Sequence, residues 1–195
     1  MGAIAKRIAR REASNRASAF MDKEAFETLF EEHVTSRLAR LGFVSKGKAL
    51  SLSSEQVTIA LFRLGGRMSA SGSISHILCF RHSFLRDRTE AVPTGVPPEV
   101  FDYPYKFRPL EDADRELVYR PQNLNYDFER LQWESTDESS VRRKLDRIAA
   151  HIENRFLPWA KTLPLATAKS EIEQFGEDAW CERMWIEDYA ARPYA

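Results

Sequence analysis

The sequence predicts an α+β domain, in which an antiparallel meander sheet carries two long helices on one face and a helical C-terminal tail follows. Three observations support this class: helical periodicity on either side of the middle of the chain, strand-like alternation between these stretches, and short turns. The 195 residues suffice for one domain whose core needs no disulfide or metal. We expect a basic amphipathic or disordered arm at 1–20, the α+β domain at 21–165 and an acidic, aromatic tail at 166–195.

Composition and charge exclude several classes of protein. Lys plus Arg and Asp plus Glu number 29 each, so the net charge of zero gives no overall attraction to nucleic acid. The two cysteines, Cys79 and Cys181, are too few for a disulfide scaffold or a four-cysteine zinc site. No apolar run approaches the roughly 20 residues of a membrane span. We therefore expect a reduced, cytoplasmic protein without a membrane span or a cofactor.

The first twenty residues have a different character from the rest. They carry a net charge of +4, and their apolar residues recur at three- and four-residue steps, as in a short amphipathic helix. A targeting peptide, a membrane-surface anchor and an arm that contacts phosphate all fit this pattern, as do a frayed tail and an upstream extension before Met21. If the arm binds nucleic acid, we expect it to do so through Arg7, Arg10 and Arg11.

The first long helix is predicted from Asp22 to Leu41. The carboxylate of Asp22 can cap the first amides, and Gly42 can end the helix in the left-handed conformation. An apolar stripe runs along this helix at helical spacing: Phe26, Leu29, Phe30, Val34, Leu38 and Leu41.

The next forty residues predict strands. Residues 48–53 alternate, and the run Val57–Leu64 is apolar on both faces, which indicates a central strand. Gly65 and Gly66 can form a tight hairpin turn, after which residues 67–81 return as a Ser-rich strand.

The middle of the chain gives weaker signals. Residues 92–99 contain three prolines and predict a loop. The alternating aromatic residues between 103 and 107 suit an edge strand, because Pro104 cannot donate to a neighbouring strand. Residues 115–120 and 124–133 are further strand candidates.

A second long helix is predicted from Ser139 or Ser140, and Pro158 is expected to close it. Its apolar stripe consists of Val141, Leu145, Ile148, Ala149, Ile152, Phe156 and Trp159. Two shorter helices are predicted around 168–174 and 177–190.

Three short motifs follow one another in the order helix stop, strand start and helix end. They are Leu41-Gly42-Phe43, Lys46-Gly47-Lys48 and Phe156-Leu157-Pro158-Trp159. In this arrangement the chain resembles, over residues 22–162, the bacterial family known as domain of unknown function 4304. The resemblance implies an α+β fold with no established activity, so it assigns no catalytic residue.

One group of residues has the spacing of metal ligands: His76, Cys79 and His82. If residues 74–82 form a strand, the two histidines share a face but lie about 20 Å apart, and the thiol points to the other face. A helix would bring all three together, as a metal requires. The alternation before this segment favours the strand and a buried histidine. A hydrolase or metal-dependent enzyme centred on His76 and His82 is the alternative.

Arg81 and Arg86 form a second candidate for nucleic acid. Phe80 and Phe84 lie beside them, and arginines interleaved with aromatic rings can contact phosphates and stack on bases. Nearby acidic residues dilute this patch.

The C-terminal tail suggests a protein partner instead. Trp180, Trp185 and Tyr189 stand among acidic residues that include Glu182 and Asp188, a combination that suits an interface with a basic partner. Alternatively, these aromatic residues pack the helix onto its own domain. We expect a non-catalytic binding or accessory module that acts through protein–protein contacts, for example an antagonist of a toxin or effector. A homo-oligomer is compatible with the same features.

Overall fold

Six antiparallel strands form one sheet in the part of the chain that the structure describes. The computed structural model describes residues 21–47, 49–64, 72–94, 98–121, 129–134, 136–174 and 180–192. The strands are β1 (Val44–Lys46), β2 (Ala49–Ser53), β3 (Val57–Leu64), β4 (Ser73–His82), β5 (Tyr105–Phe107) and β6 (Glu129–Gln132). The predicted α+β class and the antiparallel meander are confirmed.

The sheet has the order β1-β2-β3-β4-β5, and β6 also pairs with β4. Strand β3 covers one edge of β4, while β5 pairs with residues 78–80 of β4 and β6 with residues 73–76. The last two strands therefore lie end to end along the other edge of β4. The predicted strand at 115–120 is absent, and the predicted glycine turn at 65–66 lies outside the described residues.

Helix α1 spans 23–39 and ends as the sequence predicts. It consists of Lys23–Phe30, a π-helical turn Glu31–Thr35, and Ser36–Ala39. The Asp22 carboxylate accepts a hydrogen bond from the amide of Ala25 at 2.8 Å. Gly42 has φ +94°, and the amide of Phe43 donates to the carbonyl of Leu38 at 3.1 Å, which are the marks of a Schellman C-cap.

Helix α2 spans 138–162 and differs from the prediction at both ends. Its parts are Glu138–His151, a π-helical turn Ile152–Phe156, and Leu157–Thr162. Asp137 caps it, rather than either predicted serine. Pro158 does not close the helix, because the π turn before it widens the backbone where the proline ring would otherwise meet a carbonyl.

Both long helices pack on the same side of the sheet, here called the helix face. They lie side by side, joined by a hydrogen bond of His33 to Asp146 at 2.7 Å and by an ion pair of Arg37 with Glu153. The core between the helices and the sheet includes Phe26, Phe30, Val34, Leu38, Ile59, Leu61, Leu78, Phe80, Val141, Leu145, Ile148 and Phe156.

The opposite side of the sheet, here called the second face, has a smaller apolar cluster. It is formed by Ala49, Ala60, Phe62, Ile77 and Cys79 together with Val100 and Tyr103. The last two residues belong to a segment that crosses this face and contains the 3₁₀ turn Val100–Asp102.

The C-terminal residues contribute to the main core. Helices α3 (Leu165–Glu173) and α4 (Trp180–Ala190) insert Ile172, Met184 and Tyr189 into the cluster on the helix face. The predicted tail is therefore packed on the α+β domain in its described part. None of the helices in the described ranges has both the length and the hydropathy that a bilayer span needs.

Candidate functional site

The three residues with metal-ligand spacing lie on one extended strand. Strand β4 runs unbroken from Ser73 to His82. His76, Cys79 and His82 each pair with a residue of β3. His76 stacks on Phe30 of the helix face, at 5.6 Å between ring centroids, whereas Cys79 belongs to the cluster on the second face. The predicted strand at 74–82 is confirmed. No group of three His, Cys, Asp or Glu residues that could hold a metal occurs in the described ranges.

The protonation states of these groups also suit a core. His76 is fully buried, and neither ring nitrogen has a hydrogen-bond partner among the described residues; burial, together with Arg63, lowers its pKa to about 3. Burial lowers the pKa of His82 to about 4, and its Nδ1 lies 2.7 Å from the Tyr189 hydroxyl. Burial raises the pKa of the Cys79 thiol to about 12, so the thiol is not a nucleophile near neutral pH. The structure thus gives no support to an enzyme centred on His76 and His82.

Two of the aromatic residues predicted to meet a partner are inside the molecule. Trp185 is 2% exposed and Tyr189 is 0% exposed, and both belong to the main core. The indole of Trp185 donates to the carbonyl of Arg86 at 3.3 Å. The side chain of Trp180 lies outside the described part. The alternative prediction, that this helix packs onto its own domain, is what the structure shows.

The acidic residues of α4 bind groups of the same chain. Asp188 accepts hydrogen bonds from the amide and Nε of Arg86, at 2.7 and 2.6 Å, and Glu187 pairs with the same guanidinium. Glu182 accepts from the hydroxyl of Tyr119 at 2.6 Å. Arg86 is therefore engaged with carboxylates, which leaves it poorly placed for phosphate. The predicted phosphate contacts Arg7, Arg10 and Arg11 lie outside the described residues.

A cleft opens on the second face, which we call the hydroxyl cleft. Its volume is about 290 Å³. It exists because β2 and β3 place small side chains, such as Ser51, Ser53 and Thr58, where large residues would fill the space. The lining residues are Gly42, Val44, Lys46, Ser51, Ser53, Ser54, Thr58, Arg81, Ser83, Pro93 and Pro98.

Arg81 forms part of the wall of the hydroxyl cleft and is only 1% exposed. Its guanidinium donates to the main-chain carbonyls of Asp102, at 2.8 Å, and of Leu85. The carboxylate of Asp102 is instead engaged by Arg88, whose Nε lies 3.0 Å away. Burial lowers the pKa of Arg81, but a guanidinium keeps its charge at neutral pH. Within the described residues this charge forms no ion pair with a carboxylate, although Asp102 and Asp87 are near enough to raise the pKa of Arg81 and offset part of the effect of burial.

Two hydroxyls of the hydroxyl cleft donate within the fold, and two others can donate to a ligand. Ser83 donates its hydroxyl proton to the carbonyl of Ser54 at 2.8 Å. In the hydrogen bond between Thr58 and Ser83, the Thr58 hydroxyl is therefore the donor and the Ser83 oxygen the acceptor. The side chains of Ser51 and Ser53 make no hydrogen bond within the described residues, and their hydroxyls can donate to a ligand. Lys46 brings a second cation, and the lining residues named above include no Asp or Glu.

One exposed apolar residue lines this cleft, and two others lie close in sequence to its lining residues. The large hydrophobic residues that are exposed in the described ranges are Val44 at 56%, Val92 at 47% and Phe101 at 43%. Val44 lines the cleft, Val92 precedes the lining residue Pro93, and Phe101 belongs to the 3₁₀ turn that follows Pro98. We call these three residues the apolar rim.

Sequence reasoning did not find this site. The available signal was the set of small residues at alternate positions of two strands, Ala49, Ser51 and Ser53 in β2 and Thr58 and Ala60 in β3. Such a pattern shows that one face of the sheet carries small side chains. It does not show which distant segment forms the opposite wall of a cleft there.

Comparisons with protein-family models, with curated proteins and with solved structures each gave no match. The resemblance to domain of unknown function 4304 therefore stays a prediction.

Proposed function

We propose that this protein is a non-catalytic binding module, and that its partner is a protein that inserts an acidic side chain into the hydroxyl cleft. One observation carries the proposal: the cleft has two cationic side chains and no carboxylate among its lining residues, and the exposed apolar residue Val44 lies in its wall. Apolar contacts around a charged centre combine affinity with selection of the partner.

The hydroxyl cleft has room for an acidic side chain of a partner. Small-molecule sites have volumes of roughly 300–1,000 Å³. The hydroxyl cleft, at about 290 Å³, lies at the lower end of this range. A Glu or Asp side chain needs less room, and the flanking residues of the partner would then cover Val44 and Phe101.

The charge of Arg81 supports an acidic occupant. The cost of burying the guanidinium is already met in the fold by its two carbonyl acceptors. A partner carboxylate would add charge-assisted hydrogen bonds, which are shorter and stronger than neutral ones. The sequence alone suggested a basic partner for the acidic residues of α4, but Arg86 and Tyr119 of the same chain already engage these residues. The cations of the hydroxyl cleft instead lead us to expect an acidic partner surface.

The setting of this function belongs to the same proposal. Cys79 and Cys181 are both free thiols, which suits a reducing cytoplasm, and the resemblance noted above suggests a bacterial host. An antagonist of a bacterial toxin or effector would need only a stable domain with a surface of this kind.

The proposal can be tested with two peptides and NMR. The probe is acetyl-Leu-Glu-Phe-amide, and its neutral control is acetyl-Leu-Gln-Phe-amide. We expect the Glu peptide to shift the amide resonances of Ser51, Ser53, Thr58 and Ser83 and to bind about tenfold more tightly than the Gln peptide. Equal binding of the two peptides, or shifts confined to other regions, would overturn the proposal.

Surface variants complete the test. Lys46→Gln removes a cation of the cleft, and Phe101→Ser removes part of the apolar rim. Each variant is expected to lower the affinity for the Glu peptide several-fold. Lys23→Gln, an exposed lysine at the start of α1, is the matched control and should leave binding unchanged. Because Phe101 is exposed, its loss should leave the fold intact, which the amide spectrum checks. If Lys23→Gln weakened binding as much as Lys46→Gln, the attraction would be non-specific and the assignment of the cleft would fail.

A further inference from the structure

A second cavity lies on the helix face, where the end of β4 meets the turn between α2 and α3. Its volume is about 410 Å³, which is within the range of small-molecule sites. Its lining residues are Glu55, Gln56, Val57, His82, Phe84, Ala160, Lys161, Leu163, Pro164, Leu165, Ala166 and Arg192. We call it the helix-face pocket.

Most of the lining of the helix-face pocket is apolar. Five of the residues between 160 and 166 are Ala, Leu or Pro, and Phe84 and Val57 cover the opposite side. His82 is buried, with Nδ1 bonded to the Tyr189 hydroxyl and a second hydrogen bond to the main chain of Leu163. With both bonds made inside the fold, the imidazole offers a ligand its ring surface and no free polar group.

The formal charges of the pocket have a net positive sign. Lys161 and Arg192 are exposed lining residues, and neither has an ion-pair partner in the described ranges. The guanidinium of Arg192 lies 4.6 Å from the ring centroid of Phe84, so the charge is held against the apolar lining. Glu55 is the one acidic residue among those named.

We infer that the helix-face pocket binds a small molecule with an apolar body and a single carboxylate. The apolar body would lie against Phe84 and the turn at 163–166, and the carboxylate would pair with Lys161 and Arg192. Small-molecule sites usually have this composition, a mainly apolar lining with few polar groups that fix the orientation of the ligand.

This site is separate from the hydroxyl cleft and does not rest on the function proposed above. Val57 lines the helix-face pocket, whereas Thr58, the next residue of β3, lines the hydroxyl cleft. Successive residues of a strand point to opposite faces of the sheet. A ligand of one site therefore does not touch the lining of the other, and the two proposals can fail independently.

The test uses 4-phenylbutyrate as the probe and 4-phenylbutanol as its neutral analogue, with the complete chain. Isothermal titration calorimetry and NMR should show that the carboxylate binds at least about tenfold more tightly than the alcohol. The shifted resonances should belong to Phe84, Leu163, Leu165 and Ala166. Absence of binding, equal binding of the alcohol, or shifts limited to the hydroxyl cleft would overturn the inference.

Two kinds of variant separate charge from shape. The double variant Lys161→Gln/Arg192→Gln should lower the affinity for 4-phenylbutyrate about tenfold. The affinity should then be close to that for 4-phenylbutanol. The exposed Arg40, the C-cap of α1, is not a lining residue of this pocket and supplies the control Arg40→Gln, which should not change binding. Ala166→Leu, at an exposed position of the lining, should narrow the pocket and weaken both probes alike. Unchanged binding in the double variant or in Ala166→Leu would contradict the site.

Discussion

The two faces of the sheet differ in the size of the side chains that the same strands supply. In β3 the helix face receives Ile59 and Leu61, whereas the second face receives Thr58 and Ala60 before the larger Phe62. The large residues contact α1 and α2, and aromatic rings such as Phe80 and Trp159 complete this core. The small residues leave the hydroxyl cleft. Alternate positions of one strand thus supply the main core on one face and the wall of a cleft on the other.

The largest expected effect that sharpens this comparison is a loss of stability in acid. Burial lowers the pKa of His76 to about 3, and of His82 and His151 to about 4. In the unfolded chain each histidine titrates near 6.5. Unfolding therefore takes up protons below pH 6.5, and the free energy of unfolding should fall as the pH decreases toward 4.

The expected slope is up to about 4 kcal/mol per pH unit, from roughly 1.4 kcal/mol for each histidine. Urea unfolding at several pH values between 7 and 4.5 would measure it. A free energy of unfolding that stays constant between pH 6.5 and pH 5 would show that the imidazoles of the helix face are charged or accessible in the folded protein.

Truncating one residue on each face compares the two packings directly. Phe156 is buried against Phe107 and Trp159, and Phe156→Ala should lower the free energy of unfolding by about 3–5 kcal/mol. Ser51→Ala on the second face should change it by less than about 1 kcal/mol, because its hydroxyl has no hydrogen-bond partner among the described residues. Denaturant titration of both variants gives the two numbers. Equal losses would contradict the division of roles between the faces.

A smaller, favourable effect is expected for His76→Leu. The imidazole is fully buried and neither nitrogen is bonded to a group in the described part of the chain, so an apolar residue of similar volume should raise the free energy of unfolding by about 1 kcal/mol at pH 7. The variant should also reduce the slope of the free energy of unfolding against pH by the contribution of one histidine. Destabilisation by this change, measured in the same urea titrations, would show that the polar ring contributes to the core.

The smallest expected effect on stability is that of Ser51→Val, which partly fills the hydroxyl cleft. The change should alter the free energy of unfolding by less than about 1 kcal/mol, because the added methyl groups enter open space. It should nevertheless lower the affinity for the Glu peptide several-fold, because it removes a hydrogen-bond donor and narrows the cleft. Full retention of peptide binding in the NMR titration would place the recognition site elsewhere.

The sequence predicted the parts of the fold that depend on local patterns. The cap at Asp22, the stop at Gly42 and the extended state of 74–82 follow from residue types and spacing within a few positions. The continuation of α2 beyond Pro158 was missed, because it depends on a π turn that changes the backbone before the proline.

Features that depend on contacts between distant segments were less predictable. The aromatic residues of α4 have the same appearance in sequence whether they meet a partner or the core, and the distinction depends on partners such as His82 and Arg86. The hydroxyl cleft needs β2, β3 and the segment around Pro93 and Pro98 to converge, which no local pattern specifies. Alternation could show which strand positions carry small residues, but not that a cavity forms above them.

Helix α4 also determines how the chain can be shortened. Met184, Trp185 and Tyr189 complete the main core, and Asp188 anchors the helix to Arg86. Deleting the chain from residue 180 onward would uncover an aromatic surface that water wets poorly, and the remainder would be prone to aggregation and degradation. A missing partner in a pull-down with such a fragment would therefore report a damaged fold rather than a lost docking site.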